Sequence, residues 1–133
     1  MFQSPGSFAA ASLTLGGFPT MNGPFSVVAA DLDEDGDQDL VSANFNGSNL
    51  TVFFQLSPGS FQASPLTLGD FATTNFPASV AATDLDGDGD EDLVSANQGG
   101  RNLTVFLQLS HGSFAAARRR PSALGRPTAS DQR

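Results

Sequence analysis

The sequence has no cysteine, lysine, tryptophan or tyrosine, and its 133 residues include one histidine, His111. Without cysteine there are no disulfides, thiolate metal sites or cysteine nucleophiles. One histidine is too few for a histidine-rich zinc site, and it suits most general acid–base schemes poorly. No apolar run approaches the roughly 18 residues that a membrane-spanning helix needs, so no membrane insertion is expected. The opening MFQSPGSFAAASLTLGG has no basic region and is broken by Ser, Pro and Gly, so no export signal is visible. Positive charge is scarce as well. Five of the six arginines (Arg118, Arg119, Arg120, Arg126, Arg133) fall at the C-terminal end, leaving Arg101 alone before them.

Negative charge, by contrast, is concentrated. Of 14 acidic residues, 12 lie in or beside two stretches, DLDEDGDQDL (Asp31 to Leu40) and DLDGDGDEDL (Asp84 to Leu93). Each places aspartate at loop positions 1, 3, 5, 7 and 9 and glycine at position 6. Five like charges in nine residues resist compaction unless a cation neutralises them. Oxygen ligands at alternate positions suit Ca²⁺, which takes six to eight oxygens in flexible geometry. The expected cofactor is therefore Ca²⁺, two per chain. Asp31, Asp33, Asp35 and Asp39 are the expected side-chain ligands of the first ion, with the carbonyl of Asp37. Asp84, Asp86, Asp88 and Asp92, with the carbonyl of Asp90, are those of the second. An EF-hand is excluded, because position 12 is Ser42 or Ser95 rather than glutamate and the flanks are strand-like. So acidic a body repels nucleic acid and anionic membranes.

The loops lie 53 residues apart, and so does everything around them. Phe18–Phe61 and Phe71–Phe114 agree at about 31 of 44 positions, and SPGSF and LTLG of residues 4–16 recur at 57–69. This divides the chain into the end of one unit (1–17), two loop-bearing units (18–70 and 71–117) and a basic tail (118–133). At one domain or less, the chain is expected to be all-β. Leu50, Val52, Phe54 and Leu56 alternate with Thr51, Phe53 and Gln55, as in a half-buried strand, and Leu103, Val105, Leu107 and Leu109 repeat the pattern. Ser26–Asp31, Leu40–Asn44, Ser7–Leu15 and Ser60–Leu68 supply further strands between turn clusters. Four short strands per unit of about 50 residues match a β-propeller blade, giving a partial propeller of about two and a half repeats.

D-x-D-x-D-G-D-x-D-L between an S-V-x-A strand and an L-V-S-A-N strand resembles the FG-GAP, or VCBS-type, repeat over roughly residues 4–117. That resemblance implies Ca²⁺ held in the loop between two strands of a propeller blade, as in the head of integrin α chains. The motifs that name the family are replaced here by Gly-Ser-Phe and an Asn-x-Pro stretch, which weakens the transfer of its ligand face but not of its metal loop.

Other residues take quieter roles. Phe8, Phe61 and Phe114, Phe18 and Phe71, and Phe53 and Phe106 recur at equivalent positions and are expected in the core between blades. Asn44 and Asn97 are expected to cap strand ends or turns. His111 replaces Pro58 in a turn, where a structural role is expected. Asn46, Asn49 and Asn102 begin glycosylation sequons, meaningful only in a secreted eukaryotic protein. The tail puts Arg119-Arg120-Pro121 where Leu66-Thr67-Leu68 would recur, and is expected to be disordered. The functional expectation is a non-catalytic, calcium-binding module of an extracellular or cell-surface protein, serving adhesion or recognition of a protein or glycan. The alternative is an accessory propeller module of a secreted polysaccharide-active enzyme. Further blades or other copies of the chain are the expected structural partners, because two blades leave sheet edges and apolar faces open.

Overall fold

The structure is a computed structural model that describes Gly6, residues 13–18 and residues 20–116. Ten strands and no helix occur among the described residues: β1 (Pro24–Ala30), β2 (Asp39–Asn44), β3 (Asn49–Phe53), β4 (Gln55–Ser57), β5 (Ser60–Phe61), β6 (Leu66–Leu68), β7 (Pro77–Thr83), β8 (Asp92–Asn97), β9 (Asn102–Ser110) and β10 (Ser113–Ala116). They form two four-stranded antiparallel sheets, ordered β1-β2-β3-β6 and β7-β8-β9-β10, plus the small β4-β5 hairpin. The 53-residue repeat is visible in the register. Ala30 pairs with Asp39 at the mouth of the first acidic loop, and Thr83 with Asp92 at the mouth of the second.

Period-two alternation divides each sheet into two faces. In the first sheet Val41, Ala43, Leu50 and Val52 point to a front face, while Val27, Leu40, Ser42 and Thr51 point to the back. The second sheet lays its own back face, Val80, Leu93 and Phe106, on that front face, and together they form one apolar core. The joint is also pinned by polar groups. Thr74 Oγ1 donates to the Ser48 carbonyl at 2.8 Å, and the Phe76 amide donates to Ser48 Oγ at 3.3 Å. Phe45 and Phe76 stack across it with ring centroids 4.9 Å apart, and Phe25 stacks on Phe45 in turn.

Asn44 does more than cap a strand. Buried at the end of β2, it accepts from Ser42 Oγ and donates to Asn49 Oδ1 and Thr51 Oγ1, tying the β2–β3 hairpin shut. Thr51 Oγ1 then donates to the Thr20 carbonyl, which fastens the preceding segment. Asn97, Ser95, Asn102 and Thr104 repeat the bracket in the second sheet.

Several expectations change. Ser60–Leu68 is not one strand: the chain leaves the β4-β5 hairpin after Phe61 and joins the four-stranded sheet at Leu66, just past Pro65, whose nitrogen carries no hydrogen to donate. Of the strand expected over Ser7–Leu15, Leu13-Thr14-Leu15 lies in no strand, and positions 7–12 fall outside the described residues. Phe53 and Phe106 are core, and Phe61 and Phe114 are half-buried. Phe18 and Phe71 are 80% and 66% exposed, because both sit in turns ahead of their sheets rather than between them. Phe8 and the tail from residue 117 lie outside the described residues.

Candidate metal centres

Each acidic loop joins the first two strands of its sheet, and its last aspartate opens the second strand. That residue is the most deeply placed. Asp39 has no solvent exposure, and both its oxygens accept backbone amides: Oδ2 from Leu32 at 2.8 Å and Oδ1 from Gln55 at 2.7 Å. Asp92 repeats this, accepting from Leu85 and from Gln108, both at 2.8 Å. Position 9 therefore braces its loop against β4 in the first unit and against β9 in the second.

At position 1, Asp31 accepts from the amides of Asp35 and Gly36, and Asp84 from those of Gly87 and Gly89. These bonds curl the loop around its first carboxylate. The curl needs a left-handed residue at position 6, where Gly36 and Gly89 take φ of 94° and 95°. Asp35 Oδ1 and Asp88 Oδ1 accept from the amides of Asp37 and Asp90, at position 7.

Positions 1, 3 and 9 converge. Asp31, Asp33 and Asp39 each present a carboxylate oxygen within 4.8 Å of the others, as do Asp84, Asp86 and Asp92. Asp35, Asp37, Asp88 and Asp90 are not in these trios. Asp33 Oδ1 is buried with no hydrogen-bond partner. Burial first, then the Asp39 charge and the hydrogen-bonded Asp35, push the Asp33 carboxyl up to about 6. Burial also raises Asp86 and Asp39, the latter against the pull of its amide donors, whereas the Gly89 amide foremost lowers Asp84. Three converging carboxylates, one of them with a buried oxygen that has no donor, fit a hard cation.

The sign of the pH dependence follows from Asp33. A carboxyl raised from 3.8 to about 6 stabilises the fold while protonated, fully below pH 4, and loses that contribution as pH rises through 6. Chelator-treated protein should accordingly lose stability between pH 4 and 6 in urea titrations. Excess Ca²⁺ should reverse that slope, because the ion takes the deprotonated form. A slope unchanged by Ca²⁺ would count against the loop as an ion site.

The loop motif does not reveal a third group. His111 Nε2 lies 3.4 Å from Glu34 Oε1 and 3.3 Å from Asp90 Oδ1, bridging the two loops. Glu34 stands in the left-handed region at φ 60°, where its counterpart Gly87 sits without strain. Its carboxyl is raised, chiefly by a hydrogen bond with Asp90 and then by burial and the Asp90 charge. The available signal was the pair of positions where the repeats disagree, Glu34 against Gly87 and His111 against Pro58. Glu34→Gly should stabilise chelator-treated protein by about 1 kcal/mol through relief of the backbone. Denaturant unfolding checks this, and a net loss would mean that the His111 contact outweighs the strain.

Residues 31–95 match the family model described as FG-GAP-like repeat, so the chain carries an FG-GAP-like repeat spanning the first loop, the joint and the second loop. Searches of curated proteins and of solved structures return no match.

Proposed function

We propose, from the FG-GAP-like repeat at residues 31–95, that this chain is a calcium-stabilised recognition module of an extracellular or cell-surface protein. Each four-stranded sheet is read as one blade of a β-propeller. Asp31, Asp33 and Asp39 hold one ion, with Asp35 and the Asp37 carbonyl completing the set. Asp84, Asp86 and Asp92 hold the second, with Asp88 and the Asp90 carbonyl. The observation that carries this reading is the convergence of Asp31, Asp33 and Asp39, together with an Asp33 Oδ1 that is buried without a hydrogen-bond partner. When bound, Ca²⁺ supplies charge neutralisation and a cross-link between strands, and no catalytic step is assigned. The carboxylate pairs that could serve acid–base chemistry lie inside the loops. Extracellular modules bind Ca²⁺ at roughly 10⁻⁴–10⁻³ M, which suits exposed loops of this kind.

Binding of the calcium-loaded chain to arrays of extracellular proteins and of glycans, with and without EDTA, tests the role. Specific retention abolished by EDTA supports it. Release of sugar from a polysaccharide by the chain alone would overturn the non-catalytic reading.

A further inference from the structure

The two units are near-copies in sequence, yet their surfaces differ in one systematic way. Leu50 on the front face of the first sheet has no exposure, whereas its equivalent Leu103 is 67% exposed. Leu32 and Leu85 differ in the same sense. On the back faces the order reverses, with Val80 buried and Val27 67% exposed. The joint between the units covers one front and one back; the other front is open at Leu103 and the other back is open at Val27, where Ser42, Thr51 and Phe53 of that back face are already buried. The open front of the second sheet carries a groove of about 530 Å³ lined in part by Ala96, Arg101 and Leu103. The open back of the first carries one of about 330 Å³ lined in part by Met21, Phe25 and Val27.

A strand edge is open in the same place. In the first sheet β3 takes β6 as its fourth strand, pairing Leu50, Thr51 and Val52 with Leu68, Thr67 and Leu66. In the second sheet the equivalent edge, Leu103-Thr104-Val105, has no such partner among the described residues, since β10 pairs only from Phe106 onward. Arg119-Arg120-Pro121 stands in sequence where that strand would recur, with two charges and a residue that cannot donate. Meanwhile Leu13-Thr14-Leu15, the repeat-equivalent of Leu66-Thr67-Leu68, lies in no strand.

We infer that copies of this chain join head to tail through these surfaces. Leu13–Leu15 of one copy adds to the Leu103–Val105 edge of the next, as β6 does to β3. The same placement seats the open back face around Val27 and Leu40 on the open front face around Ala96 and Leu103. One operation, the step that already relates the two units, satisfies both. It also avoids a clash of charge, because Gly87 stands in that joint where Glu34 stands in the internal one. The joint is weaker than the internal one. Arg101 replaces Ser48, and Met21, with no hydroxyl, replaces Thr74, so the polar pins are gone. Assembly is therefore reversible and heterologous, running to closed rings or open chains.

Sedimentation velocity of the 133-residue chain in Ca²⁺, over a roughly hundredfold concentration range, tests this. The wild-type chain should associate as concentration rises. Two variants each block one end. Leu103→Asp charges the open front, and Thr14→Pro with Leu15→Pro removes a ladder donor whichever residue faces the partner. Both alter residues that are outside the shared core, so circular dichroism should match wild type. Each variant alone should be monomeric, but mixing the two should restore a one-to-one dimer through the intact tail of one and intact head of the other. A wild-type monomer at every concentration overturns the proposal, as when the chain's own tail or a further repeat covers the β9 edge. So does a mixture that stays monomeric, or either variant assembling like wild type, which would indicate a symmetric contact elsewhere.

Discussion

Removing Ca²⁺ is expected to lower the melting temperature by on the order of 20 °C. The loops take their curled form only in the folded chain, so ion binding adds to folding free energy. At a hundredfold excess over the dissociation constant that is roughly 2.7 kcal/mol per site, or about 5 kcal/mol for two. The fold holds Asp31, Asp33 and Asp39 within 4.8 Å of one another, and Asp84, Asp86 and Asp92 likewise, with Asp33 Oδ1 lacking any donor. Titration calorimetry on chelator-stripped protein should find about two sites with Ca²⁺ preferred over Mg²⁺, whose tighter octahedral demand favours fewer carboxylates and more water. A melting curve indifferent to EDTA, or no heat at millimolar Ca²⁺, would reduce the loops to solvated acidic turns.

How much of this is legible in the sequence depends on whether a feature is local. The strands are, because Leu50-Thr51-Val52-Phe53 alternates with the period of a sheet and turn residues bracket it. The placement of the aspartates is also local, since alternate spacing with glycine at position 6 curls the chain onto itself. What the sequence hides is anything that distinguishes equivalent positions by their neighbours. Leu50 and Leu103 are the same residue in the same register, but one sits between two sheets and the other on the outside. Repetition of Phe18 at Phe71 says that both do the same job, and that job is not burial. The aromatic stack and the charged contact between units come instead from departures from the repeat. Phe25, Phe45 and Phe76 stack where the other copy has Ala78, Gln98 and Gly23, and His111 joins Glu34 where the other copy has Pro58 and Gly87.

The buried aspartate at position 9 and the one at position 3, whose Oδ1 has no partner, should behave differently when truncated. Asp39→Ala removes the acceptor for the Leu32 and Gln55 amides, one inside the loop and one on β4. Each donor left without a partner costs about 1–3 kcal/mol where water cannot replace it, so the total for two is roughly 2–6 kcal/mol. That loss belongs to the backbone brace and should persist in EDTA; Asp92→Ala should repeat it through Leu85 and Gln108. Asp33→Ala should abolish one calcium site yet leave the EDTA-treated stability near wild type at neutral pH, or slightly above it. The reason is that Asp33 Oδ1 accepts nothing and its charge faces that of Asp39. Urea unfolding of both variants with and without Ca²⁺ separates the roles. If Asp33→Ala destabilises the metal-free chain as much as Asp39→Ala does, position 3 is part of the brace, and the division between the residue that shapes the loop and the residue that awaits the ion is wrong.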